Sequence, residues 1–518
     1  MEISQKENIF AFVLGRETEL SLLELKAVFL RFDFDFCVSK NHPEEAEDSS
    51  SASRTDAPSY TILSVTDNIA IIKFEKADSF QQIAGSFIKQ LGGTVKIFKL
   101  VGLSNTGLAK GISDLILTAK SEVATKVDFG ISDYSKGKFD INHLGLEVKK
   151  ILKPSLKSRF IFVKEGRELT TIVSESNKLD DKGIEVGIFS IVSLFHGTTV
   201  ENTGVSNNRT IVQSNNELYL GQLVALSDPF AWSKRDYGKP GGDKYSGMLP
   251  PKLARIMINL ALNEASKNIK SQIANRKQII NSKKENSKNV CDLEFSACDF
   301  RPVVVDPFCG SGNIVIEAMI LGCDVVASDI SEKAVHNTES NLSWIKPQIL
   351  NSKSQTNSNF SNQKNQNGSP TMKQLNNETI VSQSDATKDD FLFPLQAKSY
   401  KLAAIVAEPY LGEPKKFKPS KSAIIGEFNK LKEEYLGFFG NLANLLEAKS
   451  YKLSAICLVF PLVESSDHGQ VSLFRESVDE IKNLGYTVSR PPLVYGRDYQ
   501  VVKREIVLLA APATNRKS

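Results

Sequence analysis

The sequence predicts an α/β protein, and three observations carry that expectation. First, the run VVVDPFCGSGNIVIEA at 303–318 reads as a buried strand, a glycine-bearing turn and the start of an apolar helix. Second, strand-like apolar runs alternate with helix-periodic runs along most of the 518 residues, the pattern of βα units. Third, setting aside two polar stretches, near 266–290 and 350–377, restores a regular strand-helix alternation to the C-terminal half. A chain of this length exceeds one compact core, so several domains are expected.

Taken in order, IFAFVLGRETELSLLELKAVF reads as a strand, a turn at Gly15 and a helix from about Ser21, with Leu22, Leu25 and Phe29 on its apolar face. The polar run HPEEAEDSSSASRTD is an expected surface loop. YTILSVT and IAIIKF then pair as strands, SFQQIAGSFIKQLG is a helix and TVKIFKLVG a further strand, so residues 1–100 are assigned to one small α/β domain. A second unit is expected over 101–205. ATKVDFGIS reads as a strand, HLGLEVKKILK as an amphipathic helix, and RFIFVK and LTTIVSE as two more strands.

Lys149, Lys150, Lys153, Lys157 and Arg159 gather on or just after that helix. Such a cluster serves either as a solvated face or as a contact for an RNA backbone. Residues 206–250 are assigned to a linker and substrate-side loop, in which Trp232, Arg235, Asp236, Tyr237 and Tyr245 are placed to cover a ligand or to connect domains. From Pro251 the residues Leu253, Ile256, Met257 and Leu260 recur at helical spacing, and Pro251 suits a first helical turn.

Composition bounds the function. The formal charge is +4, from 64 Lys and Arg against 60 Asp and Glu, so nucleic-acid binding has to come from local clustering. Six cysteines in this length make no disulfide framework, and Cys291 and Cys298 have no histidine nearby, so neither a disulfide scaffold nor a metal site is expected. The charged and polar opening MEISQKENIF and the lack of an 18-residue apolar span predict a cytoplasmic protein without a membrane partner.

The glycine turn carries the chemistry. Gly310 and Gly312 permit a tight turn or close backbone approach, and the free N–H groups of the following helix suit an anionic group. The dinucleotide spacing G-x-G-x-x-G is absent, because Val315 stands at the third glycine. Asp306, directly before the turn, suits the amino end of a methionine sulfonium cofactor better than a pyrophosphate. The next strand, CDVVASDI, ends in Asp329, placed to accept from both ribose hydroxyls. TIVSQSDAT ends near Asp385, placed to receive an adenine amino group, with Asp389 and Asp390 crowding the same turn. The following strand in KLAAIVAEPYLGEP ends in Glu408, Pro409 and Tyr410. There Pro409 stiffens the loop, Tyr410 stacks on a planar base, and either Glu408 or the carbonyls of Ala407 and Glu408 accept from an exocyclic amine. Two late apolar stretches in LVYGRDYQVVKREIVLLAA are expected to form an antiparallel sheet edge, with Arg497, Lys503 and Arg504 nearby.

The runs IFAFVLGRETELSLLEL, MLPPKLARIMINLA, DPFCGSGNIVIEA and EPYLG together resemble the class I S-adenosylmethionine-dependent methyltransferases that modify guanosine at position 10 of tRNA, with their eukaryotic relatives. The resemblance covers most of the chain outside the polar stretches. It implies an N-terminal ferredoxin-like domain, a THUMP domain that binds tRNA, and a Rossmann-like methyltransferase domain over 251–518. It implies cofactor roles for Asp306, Phe308, Gly310 and Gly312 at the methionine end, Asp329 at the ribose and Asp385 at the adenine. It implies catalytic roles for Glu408, Pro409 and Tyr410. Beside it, the basic cluster and the Gly-Pro-rich segment themselves offer Lys149, Lys150, Lys153, Arg235 and Tyr237 as the substrate contacts. Some eukaryotic relatives suggest a small activating protein subunit.

One departure is plain: the family usually carries DPPY where this chain has AEPY. Anchoring on Tyr410 puts Ala407 at the acid and Glu408 at the first proline, whereas one deletion makes Glu408 the acid. Methyl transfer to another RNA or DNA amino group, and an RNA-binding protein without catalysis, are the alternatives that this departure keeps open.

Overall fold

The computed structural model describes residues 8–31, 35–36, 59–75, 77–103, 107–120, 126–137, 139–192, 216–242, 248–282, 302–358, 378–395, 403–449, 451, 453–467 and 469–512. These divide into two compact units, 1–231 and 232–518.

The first unit is built on β1 (Ile9–Leu14), α1 (Thr18–Arg31), β2 (Asp35–Phe36), β3 (Ser59–Thr66), β4 (Ile69–Phe74), α2 (Ala77–Ile88) and β5 (Thr94–Gly102). It continues with α3 (Leu108–Lys120), β6 (Lys126–Asp133), α4 (Ile141–Leu152), β7 (Lys157–Ile161), α5 (Thr171–Ser176), β8 (Ile184–Val192) and β9 (Asn216–Leu226). All nine strands join one sheet in the order β2-β3-β4-β1-β5-β9-β8-β6-β7. Strand β1 shows why both faces are buried. Phe10, Phe12 and Leu14 pack with Val28 and Phe29 of α1 and Phe80 and Phe87 of α2. The alternate residues Ile9, Ala11 and Val13 join the core of Ile112 and Ile116 of α3 and Val148 and Leu152 of α4.

Several expectations are corrected here. The boundary placed after residue 100 falls inside β5, whose register with β9 makes one sheet of both halves. Residues 216–226, assigned to a linker, form the strand that joins them, because alternating Leu218, Leu220 and the small Gly221 fit a pleated interior. LTTIVSE is not a strand. Thr170 accepts from Val173 N–H and caps the short helix α5. The interior is fastened by Lys96 and Glu185, both buried and 2.6 Å apart. Ser132 and Ser174 also donate to the Glu185 carboxylate, and Lys96 donates to the Leu169 carbonyl. Every group in this cluster is hydrogen-bonded, which is the condition under which a buried ion pair is tolerated.

The second unit begins within helix α6 (Pro229–Tyr237), whose first turn is capped by Asp228. Its elements are α7 (Pro251–Ser282), β10 (Val303–Asp306), α8 (Asn313–Ile320), β11 (Asp324–Asp329), α9 (Glu332–Ser358), β12 (Thr379–Gln383) and β13 (Ala403–Ala407). Then come α10 (Lys421–Lys449), β14 (Leu453–Glu464), β15 (Gln470–Ser472), α11 (Leu473–Asn483), β16 (Thr487–Val488), β17 (Leu493–Tyr495) and β18 (Val502–Ala510). The sheet order is β12-β11-β10-β13-β14-β18-β16, with β15 on β14 and β17 on β18. The first five strands are mutually parallel and β18 is antiparallel to β14. The order reverses at β10 and β13, so their carboxyl ends flank the switch point where doubly wound sheets bind ligands.

The parts of the polar stretches within 266–282 and 350–358 are helical continuations of α7 and α9 rather than loops. Residues 283–290 and 359–377, like Cys291, Cys298, Tyr245 and the run at 42–56, lie outside the described residues. The segment that includes Trp232, Arg235 and Tyr237 is helical, not a loop.

Candidate active site

The glycine turn is assembled from both directions. Gly310 and Gly312 have φ of 55° and 78°, the left-handed region that favours glycine. A side chain at Gly310 would meet nothing within 4 Å, so the backbone faces open space, whereas one at Gly312 would press on Thr338 at 3.0 Å. Gly310 N–H donates to Asp329 Oδ2 at 2.9 Å, and Ser331 N–H donates to Asp329 Oδ1 at 2.9 Å. Asp329 thus stitches the end of β11 to the turn, and each carboxylate oxygen keeps a lone pair for a further donor.

Asp306 is the unusual group. It is 1% exposed, and its Oδ1 accepts from Phe308 N–H at 3.2 Å. Among the described residues its buried Oδ2 has no hydrogen-bond partner. Burial, reinforced by the neighbouring carboxylates Asp329 and Glu408 and opposed by the Phe308 N–H, pushes its carboxyl well above the usual range. A buried carboxylate oxygen without a donor is costly, and a cationic ammonium is the group that would satisfy it. Phe308 packs edge-on against Phe438 at 5.3 Å, holding the turn over α10.

Asp385 sits in a tight turn, where its Oδ1 accepts from Thr387 N–H and Oγ1 and Lys388 lies 3.1 Å from Oδ2. The Thr387 hydroxyl and N–H and the Lys388 ammonium hold its carboxyl below the usual range. The adjacent Asp389 accepts from Asp385 N–H at 2.7 Å.

The acceptor-side loop is arranged differently. Glu408 is 13% exposed at its side chain and is gripped bidentately by Arg504, with Nε to Oε2 at 2.7 Å and Nη2 to Oε1 at 3.1 Å. Burial pushes the Glu408 carboxyl up, against the pull of the guanidinium. The carboxylate that the sequence offered as the acceptor of an amine already has its own cation. Pro409 follows, and the Tyr410 carbonyl accepts from Tyr435 Oη at 3.3 Å. Tyr410 itself is 54% exposed.

The other sequence candidates separate cleanly. Arg235 is not free for a substrate. Its Nε donates to buried Glu317 at 2.6 Å, and its guanidinium lies 4.2 Å from the Trp232 ring centroid. Arg255 of α7 joins the same carboxylate and the same ring. Tyr237 is 83% exposed. Lys149 and Lys150 are exposed on α4 in the first unit, and Lys153 is exposed at its C-cap. That unit also has a recess of about 290 Å³ lined by Lys126, Asp128, Arg159, Lys178 and Lys182, in which Arg159 is committed to Asp128.

Sequence reasoning missed Glu317, Arg255, Asn313 and Lys239. Asn313 donates to the Leu249 carbonyl at 2.6 Å and Arg255 reaches Glu317, so the run MLPPKLAR is fastened directly to the turn DPFCGSGN. Lys239 donates to Ser311 Oγ at 3.2 Å and to Asn313 Oδ1 on either side of Gly312. Burial lowers its ammonium to about 8 despite Asp236 and Glu317 nearby. An acid four residues into an otherwise apolar helix was the one signal in the sequence, since such a group is buried only with a partner.

Strand order, antiparallel β18 and the acid-glycine turn define the fold of a class I methyltransferase. No family model matches the chain. It is 32% identical over 98 residues to a tRNA (guanine(10)-N2)-dimethyltransferase of Methanothermobacter thermautotrophicus, a match covering 19% of each protein. The matched stretch thus spans about a fifth of that curated relative. Among solved structures the chain is similar to TrmN from Thermus thermophilus, at 12% identity and a TM-score of 0.43, with 97% of this chain and 100% of that one covered. It is also similar to magnesium protoporphyrin IX methyltransferase from Synechocystis PCC 6803 with bound SAM, at 14% identity and a TM-score of 0.23, over 55% of this chain and 91% of that one.

Proposed function

We propose that this protein is a cytoplasmic S-adenosylmethionine-dependent tRNA methyltransferase acting on the exocyclic N2 of a guanosine, at position 10. The observation that carries the reading is Asp306, a buried carboxylate with an unpartnered oxygen at the carboxyl end of β10, beside a glycine turn that faces open space. Those residues fit the cofactor: Asp306 suits its ammonium, Asp329 its ribose hydroxyls and Asp385 its adenine amine. Bound there, the cofactor supplies an electrophilic sulfonium methyl.

The chain's own residues do the remaining work. Tyr410 offers an exposed ring for a base that has left its stack. With Glu408 held by Arg504, the carbonyls that follow β13 take the larger part in orienting the amine, and Pro409 stiffens their loop. Holding the amine in line with the methyl group is the main contribution, and such positioning supplies about 7 kcal/mol or more in well-aligned systems. In this reading the first unit is the RNA-binding part, ferredoxin-like up to β5 and THUMP-like beyond it, Lys149, Lys150 and Lys153 contact the tRNA backbone, and a small activating subunit is a candidate partner. No metal takes part in the proposed reaction.

The test is transfer of labelled methyl groups to unmodified tRNA, followed by nucleoside identification and position mapping. N2-methylguanosine at position 10 supports the assignment, and label on adenosine or on another atom of guanosine rejects it. Within that assay Tyr410→Ala is expected to lose turnover while cofactor affinity stays unchanged.

A further inference from the structure

We propose that the rim beyond Tyr410 is a platform for the unpaired RNA nucleotides that flank the base being modified; this rests on the reading of the site as an RNA methyltransferase. Three exposed aromatic side chains of the second unit accompany Tyr410 there: Phe417 at 85%, Tyr237 at 83% and Tyr499 at 73% exposure. Lys416 and Lys418 flank Phe417, and both are exposed.

A chain of contacts joins these residues through the start of β18. Arg504 grips Glu408, two residues before Tyr410. The preceding residue, Lys503, shares Glu464 with Lys418, at 2.8 Å and 2.7 Å respectively. The two ammonium groups, Lys418 first, hold the Glu464 carboxyl down to about 2, so this link persists at any ordinary pH. A side chain at Gly496 would press on Lys503 at 2.7 Å, which shows how closely the loop after β17 lies on β18. From that loop Arg497 donates to the Tyr499 hydroxyl, places its guanidinium 5.6 Å from the Tyr499 ring centroid, and lies within electrostatic reach of Tyr495 and Tyr237.

The ion pairs therefore fix the framework, and the aromatic rings stand on it in water. Interleaved cations and exposed rings match two features found together in single-stranded nucleic acid: a charged backbone and bases with free π-faces. The neighbours of an extruded base are such nucleotides, because extrusion unstacks them on one side. A protein partner would call instead for a contiguous apolar patch, and here lysine and arginine interrupt the rings.

The experiment uses the full chain with Phe417→Ala, Tyr499→Ala and the double variant. It measures kcat and KM for tRNA, binding of a short single-stranded RNA around the target guanosine, and cofactor affinity by calorimetry. Each single substitution is expected to raise KM and weaken oligonucleotide binding about tenfold, with kcat and cofactor affinity unmoved. Phe417→Tyr, which keeps a ring, should restore binding, whereas Phe417→Leu should not. Unchanged KM and oligonucleotide binding in the double variant, with wild-type methylation intact, would overturn the platform and leave the methyltransferase reading standing. Absence of methylation of any RNA by the wild-type chain, with the cofactor bound, would overturn that reading and the platform with it.

Discussion

Two acids at the same edge of the second sheet, Asp306 after β10 and Glu408 after β13, are buried in opposite ways. Asp306 holds one backbone donor, and its Oδ2 is without a partner among the described residues. Glu408 is closed by a bidentate guanidinium from β18. Desolvation raises both carboxyls, so burial does not distinguish them. The difference is where the compensating cation comes from. Arg504 arrives with the fold, which makes Glu408 a tie between β13 and β18, whereas in the proposed function the cation for Asp306 comes with the cofactor. A buried acid without compensation is costly to the unliganded fold and one with a complete partner is not, and that is the contrast the proposed roles of Asp306 and Glu408 turn on.

The sharpest break of this comparison removes the built-in cation. Arg504→Met leaves Glu408 buried and unpaired and should cost about 3–5 kcal/mol of unfolding free energy. Its pH dependence follows from the direction of the shift. The folded-state pKa of Glu408 is above its unfolded value near 4.5, so its contribution is fully present below that value and is lost as pH rises through the folded pKa. The loss in Arg504→Met should therefore be larger at pH 8 than at pH 5 in urea unfolding. The double variant with Glu408→Met should recover most of it. If the double variant also keeps methyl transfer, Glu408 is a strut; if stability returns and turnover does not, the carboxylate acts on the amine.

Asp306→Asn applies the same logic to the open acid and should give the opposite sign. The substitution removes the charge that an ammonium would meet, and loss of such a charged partner weakens binding by about 2–4 kcal/mol, or about 30- to 1000-fold in cofactor dissociation constant. The unliganded fold should not lose stability. The pKa of Asp306 is raised above 3.8, so its stabilising contribution is present below that value and is lost as pH rises through the folded pKa. Above the unfolded value the buried acid opposes folding, and the amide, which does not ionise, removes that opposition. Calorimetry with S-adenosylmethionine and thermal melting without it give the two readings, and unaltered cofactor affinity would remove Asp306 from the binding site.

How much of this contrast was legible in the sequence depends on how local each feature is. The strand, turn and helix around Asp306 lie within sixteen consecutive residues, so periodicity and glycine placement were enough to find them. The Glu408 to Arg504 pair joins residues 96 apart, and no spacing rule connects them. The same limit hid β9, which follows a stretch outside the described residues and closes the first sheet by pairing with β5 and β8. Arg235 was misread for a related reason. A cation near aromatic residues in a Gly-Pro-rich segment suggests a ligand lid, but its partner Glu317 is 82 residues away in sequence. LTTIVSE failed locally instead, where its β-branched residues favoured a strand and the Thr170 cap decided for a helix.

A smaller effect is expected from the backbone of the turn. Gly310→Ala places a methyl group in open space but at a φ of 55°, and the left-handed conformation costs about 1–2 kcal/mol for a residue with a Cβ. On the strut side, Gly412→Ala at a φ of 90° would also press on Glu427 Oε1 at 2.5 Å. Both should lower the unfolding midpoint. Only Gly310→Ala should weaken cofactor binding beyond what its loss of stability accounts for, because only there does the added carbon occupy the space the cofactor is proposed to fill.

The smallest predicted effect concerns Lys239, which braces Ser311 and Asn313 around Gly312 from the segment before α7. Its ammonium is lowered from 10.5 to about 8, chiefly by burial, so it loses its proton within an accessible range. A depressed pKa means that the cation opposes folding: the contribution is present above the unfolded value and is lost as pH falls through about 8, so the unliganded protein should gain slightly in stability between pH 7 and pH 9. Cofactor affinity should move the other way. A neutral amine cannot donate as strongly to the two side chains that shape the turn, nor offer charge to the carboxylate end of the ligand, and a loss of about fivefold corresponds to about 1 kcal/mol. Lys239→Met should flatten that pH profile at the weaker level without touching the affinity contributed by Asp306. A profile in Lys239→Met that still falls above pH 8 would assign the titration to another group and leave the turn braced by Asn341, which donates to the Ser311 carbonyl at 2.8 Å.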